Sequence, residues 1–261
     1  MKLSIITINY NNKTGLIKTV ESVIHQTFQD FEYIIIDGGS TDGSKEYIQQ
    51  MQEHFDYWVS EPDKGIYNAM NKGIKVAKGE YCLFLNSGDM LYDDFSLVYL
   101  FKNSFEEDIV YTNCYFHEDD NTTLKKKTFP IPENLTMDFF WKDMLCHQAM
   151  IFKRKFLENY SKYDEKYKLA SDLKLVATSI VFGKATLKKV EIFLSVYDLN
   201  GQSASSRYLY EDEKRKIFQE DFSFFYEDYC KYEKTEYELN AIRNHFLIKI
   251  LKKIKNFLVL K

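Results

Sequence analysis

A carboxylate at the start of a helix can accept a proton, and one at the end of a buried strand can hold a hard cation. This sequence has a candidate for each. Asp172 stands near the front of LASDLKLVATSIVFG (169–183), where Leu173, Val176, Ala177 and Ile180 recur at helical spacing. The helix dipole favours its ionised form there, which suits a general base, although a plain N-cap has the same look. Asp89 closes YCLFLNSGD (81–89), an apolar run that stops in Asn86, Ser87 and Gly88. Gly88 gives backbone room for a close ligand beside the Asp89 carboxylate; a turn capping the helix expected over 95–101 is the plain alternative. Three other apolar runs also end in polar residues: Asn9 and Tyr10 with Asn11, Asp37 with Gly38 and Gly39, and Glu61-Pro62-Asp63. Cys146, His147 and Gln148 precede the apolar run AMIF.

These residues are spaced by alternating elements. LSIITINY (3–10), EYIIIDGG (32–39), 57–60 and the stretch from 81 read as strands, while 13–26, 44–54 and 65–77 carry apolar residues at helical spacing. Gly79 is the expected C-cap of the third helix. Such alternation predicts right-handed crossovers and a mainly parallel sheet covered by helices, an α/β fold with its ligands at the carboxyl ends of the strands. One polar strand end is an ordinary turn; four on the same rim point to a site. Farther on, 108–117 and 122–129 flank a polar segment as a hairpin would, and VEIFLSVYDL (190–199) is the last strand-like run.

With 261 residues, 45% of them hydrophobic and 28% charged, the chain can bury a large core. A net charge of −4 argues against a general nucleic-acid binder. Cys82, Cys114, Cys146 and Cys230 are far apart in sequence with no CxxC, which predicts reduced thiols rather than zinc or disulfides. No apolar stretch reaches the roughly 18 residues of a membrane span and no signal peptide is evident, so a cytoplasmic location is expected.

The set SIITINYN, IIIDGGSTDGS, DKGIYNAMNKGIKVAKGEY and LFLNSGD resembles the nucleotide-binding half of family 2 glycosyltransferases, whose fold is the GT-A type. The resemblance is specific over 3–89 and weaker to about 205. It implies an inverting transfer of a sugar from a nucleoside-diphosphate donor, a UDP- or GDP-sugar, to an acceptor hydroxyl. Asp37 then resembles the aspartate that accepts hydrogen bonds from base or ribose. Thr7, Asn9, Tyr10, Asp63, Asn86 and Gly88 line the nucleotide pocket, with sheet and core roles open for Thr7 and Tyr10. Asn71 holds its helix to the 61–65 loop, and Met70 stands where a basic residue is common. Asp89 resembles the last acid of an aspartate-rich motif, in which Asn86 and Gly88 replace two acids, and this implies that it holds a divalent cation, Mg²⁺ or Mn²⁺, on the donor diphosphate. Asp172 is similar to the base of a Glu-Asp pair whose Glu is here Ser171, and His147 and Gln148 resemble an acceptor-side pair. The segment 200–206 looks like the mobile loop over the donor, with a plain linker equally open.

The resulting division is a glycosyltransferase domain over 1–205, split into a donor half (1–105) and an acceptor half (106–205), followed by a helical extension over 206–261. From 242 the extension is basic and amphipathic, with Ile242, Phe246, Ile250 and Ile254 on one stripe among lysines. That stripe suits an anionic membrane surface, where a lipid-linked glycan acceptor would be found, or a homodimer contact. The loss of Asn86, Gly88 and Ser171 as acids also leaves open a catalytically silent sugar-nucleotide-binding protein. A nucleotidyltransferase is the other alternative, against which stands the lack of a Gly-rich basic N-terminal loop.

Overall fold

The computed structural model describes residues 1–117, 123–159, 162–199, 206–244 and 248–250. The chain divides into two compact units, Met1–Lys214 and Arg215–Lys261. The first is an α/β unit built on one sheet of nine strands. Its parallel half is β1 (Leu3–Asn9), β2 (Phe31–Asp37), β3 (Tyr57–Ser60) and β4 (Tyr81–Asn86), ordered β3-β2-β1-β4. Every residue of β1 is buried, as expected for a central strand with helices on both faces. Ile5, Leu83 and Ile35 pack with Leu16, Val20 and Val23 of α1 (Lys13–Ile24), whose start is capped by Asn12 accepting from Gly15 N at 3.0 Å. α2 (Ser44–Gln50) and α3 (Ile66–Val76) are the other two crossovers.

The third helix ends at Ala77, so Gly79 is not its cap. A Cβ on Gly79 would lie 2.5 Å from Ser4 N, so the glycine is needed for close approach to β1 instead.

The second half of the sheet is mixed. β5 (Met90–Leu91), β6 (Ile109–His117), β7 (Leu124–Lys127), β8 (Met150–Lys153) and β9 (Leu187–Tyr197) extend the order through β4-β8-β6-β9-β5, with β7 on β6. β8 runs antiparallel to both β4 and β6, β6 and β9 are parallel, and β6 and β7 form the expected antiparallel pair. α4 (Ser96–Leu100), α5 (Met137–Lys142), α6 (Arg154–Asn159) and α7 (Ser171–Val181) accompany these strands. α8 (Arg207–Asp221) begins in the first unit, and α9 (Ser223–Asn244) belongs to the second.

Among the described residues no helix is long and apolar enough to cross a membrane. Residues 118–122, most of the segment 200–206 expected to close over the donor, and most of the expected basic stripe (245–247 and 251–261) lie outside the described residues.

Candidate active site

Parallel pairing brings the ends of β1, β2 and β3 level, with Asn9 opposite Asp37 and Asp37 opposite Ser60. Asp37 is fully buried and accepts from Asn9 Nδ2 (2.7 Å), Ser40 Oγ (2.5 Å), Ser40 N (3.0 Å) and Ser60 Oγ (2.6 Å). Burial pulls its pKa upward, but these donors win and hold it below the ordinary carboxylate value. Its oxygens are thus engaged by the protein, and Asp37 organises the rim from beneath. Asn9 Oδ1 is buried with no partner among the described residues. Above them Tyr10 is 60% exposed, which removes the core reading for that ring. A Cβ on Gly38 would meet Asp63 Oδ2 at 2.5 Å and Tyr10 Cδ2 at 3.2 Å, so Tyr10, Gly38 and Asp63 form one small surface. Thr7 is a sheet residue: it is fully buried and its hydroxyl is 3.1 Å from that of Tyr33, so it does not line the pocket.

At the end of β4, Asp89 folds back under its own turn. Its oxygens accept from Asn86 N (3.2 Å) and from Asp198 N (2.9 Å), just past β9, and the Gln148 side chain is close enough to favour its ionised form. Asp89 is 3% exposed. Burial pushes its pKa up to about 7, partly offset by those hydrogen bonds, and the nearby Asp198 carboxylate adds to the rise. Gly88 has φ +112, and a Cβ there would lie 2.5 Å from Asp198 Oδ2. A side chain at 88 is therefore excluded both by conformation and by the carboxylate.

This corner tests the expectation of a divalent cation. Among the described residues no three His, Cys, Asp or Glu side chains gather as a metal group. Yet two carboxylates repel one another here, and Asn86 Oδ1 is buried with no partner among the described residues. Asn86 Oδ1 and the carboxylates of Asp89 and Asp198 are hard oxygen donors of the kind that Mg²⁺ or Mn²⁺ takes.

Beside this corner lies a cavity of about 430 Å³. Apolar side chains such as Ile66, Met70, Leu145 and Leu169 supply much of its wall, and Asp172, on the first turn of α7, lines it together with Asp143 and Glu211. Asp172 Oδ1 accepts from Tyr67 Oη (3.0 Å) and Leu173 N (2.8 Å). Burial raises its pKa to about 6; those two hydrogen bonds oppose the shift, and the charge of Glu213 adds to it. A carboxyl held near neutrality suits proton transfer better than an ordinary surface Asp does. It is not the N-cap of α7, which is Ala170.

The segment ahead of α7 is fixed from two sides. Glu213 of α8, 6% exposed, accepts from the amides of Lys168, Leu169 and Ala170 at 2.7, 2.8 and 3.0 Å. Asn71 of α3 donates to Tyr163 O (2.9 Å) and Glu165 Oε1 (2.8 Å) and accepts from Tyr163 N (3.1 Å). Asn71 therefore ties its helix to the 163–165 loop, not to 61–65. Met70, where a basic residue is common, is 2% exposed and lines the cavity.

His147 and Gln148 separate in role. The His147 ring packs against Phe84, Phe152 and Tyr163, and its Nε2 pairs with Tyr163 Oη. Burial lowers its pKa to about 3, so it stays neutral, and both His147 and Gln148 line the cavity, on the side expected for the acceptor. Gln148 Oε1 accepts from Cys146 Sγ at 3.5 Å.

Tyr67, Asp198 and Glu213 were not anticipated as site residues. Asp198 had a signal, an acid at the end of a strand-like run just before a polar loop. Tyr67 had a weaker one, its place in a quoted motif. Glu213 had none, standing in the charged run EDEKRK (211–216).

Residues 4–161 match the family described as Glycosyl transferase family 2. An uncharacterized glycosyltransferase of Mycobacterium tuberculosis is 33% identical over 175 residues, 67% of each chain. A PGL/p-HBAD biosynthesis glycosyltransferase of Mycobacterium bovis is 28% identical over 65% of this chain and 66% of its own. In fold, the chain is similar to S. aureus TarS in complex with UDP-GlcNAc (TM-score 0.65, 17% identity, 84% of this chain and 65% of that one). It is equally similar to the mannosyltransferase PcManGT of Pyrobaculum calidifontis in complex with GDP-Man and Mn²⁺ (TM-score 0.65, 14% identity, 100% and 81%).

Proposed function

Because the chain belongs to glycosyl transferase family 2, we propose that it transfers a sugar from a nucleoside-diphosphate donor to an acceptor hydroxyl, with inversion, using Asp172 as the base. The observation that carries this reading is the position of Asp172: a carboxyl with a pKa of about 6 on the wall of a cavity that also reaches Asn86, at the end of the parallel half of the sheet. Donor-binding structures of the same fold, one with UDP-GlcNAc and one with GDP-Man, support the donor class.

The donor base would rest on Tyr10, with Asp63 in reach of ribose hydroxyls and Asn9, Asp37, Ser40 and Ser60 holding the rim. The diphosphate would lie by the backbone of Gly88. Asn86, Asp89 and Asp198 would hold a divalent cation, which supplies positive charge against the leaving diphosphate when bound. The acceptor enters the cavity with its hydroxyl toward Asp172. Tyr67 keeps the carboxylate oriented, and Asp172 takes the hydroxyl proton as the oxygen attacks the anomeric carbon and the diphosphate departs. A single displacement needs no covalent sugar intermediate. Apolar walls together with Lys168 and Lys214 suit an acceptor with both apolar and anionic parts, such as a lipid-linked glycan reached from a membrane surface.

The donor site is tested by melting the full chain against UDP- and GDP-sugars with Mn²⁺. At least one donor should raise the melting temperature, and Tyr10→Ala should cut its affinity by about 1–3 kcal/mol, the worth of base stacking on an aromatic ring. Unchanged donor affinity in the Tyr10 variant would reject this placement of the base.

A further inference from the structure

Among the described residues four lysines line the acceptor cavity, and three of them meet carboxylates. Lys127 pairs with Asp143 (2.8 Å), Lys142 with Asp138 (3.0 Å) and Lys214 with Glu211 (2.7 Å). Lys168 is exposed and makes no ion pair among the described residues. Nearby lysines differ from it: Lys166 lies 4.8 Å from the centre of the Tyr167 ring, and Lys174 reaches Asp164 at 3.0 Å. The backbone beneath Lys168 is fixed, because its amide donates to Glu213 Oε1 at 2.7 Å and the next two amides donate to Oε2. Its ammonium is thus carried on an anchored stem. Asp172 follows four residues later, and four residues of chain span at most about 14 Å. Since both side chains line one cavity, a single small molecule can touch both. Lys168 also lies beyond residues 4–161, the part of the chain that matches the family, so the shared pattern does not account for it.

We propose that Lys168 is a specificity-determining residue, which selects an acceptor bearing an anionic group, a carboxylate or a phosphate, on the sugar that presents its hydroxyl to Asp172 or on the ring next to it. An anion entering the cavity meets one ammonium with no carboxylate to displace. At Lys127, Lys142 or Lys214 it must first compete with Asp143, Asp138 or Glu211. The apolar wall formed in part by Leu145 and Leu169 lowers the local dielectric, which strengthens a charge-assisted hydrogen bond. A neutral hydroxyl in the same place makes a weaker bond and gains less from the charge.

That the selected molecule is an acceptor rests on the glycosyltransferase reading; the anion site itself does not. Lys214, adjacent in sequence to the clamping Glu213, is the competing candidate for the same anion, but its ammonium is already held by Glu211.

The test titrates the full chain with methyl hexosides, methyl hexuronosides and hexose 1-phosphates in the gluco, galacto and manno configurations. Affinities are read by ligand-observed NMR without donor, and transfer is then measured from UDP- and GDP-sugars. In at least one configuration an anionic sugar should bind about 10-fold or more tightly than its neutral partner, the effect of a hydrogen bond to a charged group. Preference for either anion supports the site, and the arm that shows it identifies the group. Lys168→Met keeps the apolar stem and removes the charge, so the ratio of anionic to neutral affinity should fall to near one, while Lys168→Arg should retain it. The proposal is overturned if no anionic sugar outbinds its neutral partner, or if the ratio survives in Lys168→Met and is lost in Lys214→Met. Should the methionine variant fail to fold, salt decides: the wild-type ratio should shrink as ionic strength rises, and a ratio indifferent to salt would overturn the proposal. Equal transfer to neutral and anionic sugars would sink the anion preference and leave the transferase reading standing. Anionic sugars held through Lys168 with no transfer from any donor would sink that reading and leave the site.

Discussion

Asp172 owes its pKa to opposing neighbours. Burial and the Glu213 charge raise it, while Tyr67 and the Leu173 amide stabilise the carboxylate. Since the base must be ionised to work, transfer should rise with pH through about 6. Tyr67→Phe removes one donor to the ionised form while keeping the ring, so the acidic limb of the rate profile should move to higher pH. A profile unchanged in the phenylalanine variant would show that Tyr67 does not act on the base. Asp172 was legible in the sequence because an acid at the front of an amphipathic run is a local pattern. The partners that set its pKa were not, because Tyr67 is 105 positions away in the chain. The surroundings of His147 were hidden for the same reason: it lines the cavity, but its ring also packs against Phe84, Phe152 and Tyr163 from other elements.

Among the elements, the first four strands and three helices were readable from period and polarity alone, since the strands are largely apolar runs that give way to polar residues and the helices carry apolar residues at helical spacing. β5 was not: two residues carry no period, and its existence depends on pairing with β9. The same distinction separates α7, visible from its apolar stripe, from the clamp that sets its start. Glu213 stands in a charged stretch of α8 whose burial depends on three backbone amides of 168–170. Glu213→Gln keeps the size but replaces one acceptor oxygen with a donor, leaving amides unpaired at a cost of about 1–3 kcal/mol. It also removes a charge that raises the Asp172 pKa. The variant should therefore melt earlier and show an acidic limb shifted to lower pH, opposite in sign to Tyr67→Phe. Lower stability without any limb shift would make Glu213 a structural clamp only.

For the molecule as a whole, two buried carboxyls couple folding to pH. Asp89 and Asp172 are both held above the ordinary value of 3.8, at about 7 and about 6. The folded chain keeps these protons where the unfolded chain has released them, so their contribution is full below about pH 4 and is lost as pH rises through about 6 and 7. A cation that binds the ionised corner should restore stability at the upper end of that window. Melting temperature should thus decline from about pH 4 to about pH 7 in chelator, with the decline reduced by Mn²⁺ and less steep in Asp89→Asn. An Asp89 variant with the wild-type slope and the wild-type response to Mn²⁺ would remove Asp89 from the cation site. The donor rim, the cation corner and the cavity all belong to the unit Met1–Lys214, so one measurement on the full chain can examine them together. That measurement is release and transfer of labelled sugar from UDP- and GDP-donors, with donor affinity recorded alongside, in the wild type and in Asp172→Asn. The account predicts turnover by the wild type, and in the variant a rate lower by on the order of 10²–10⁴ with donor affinity preserved. An Asp172 variant that turns over as fast as the wild type would contradict it.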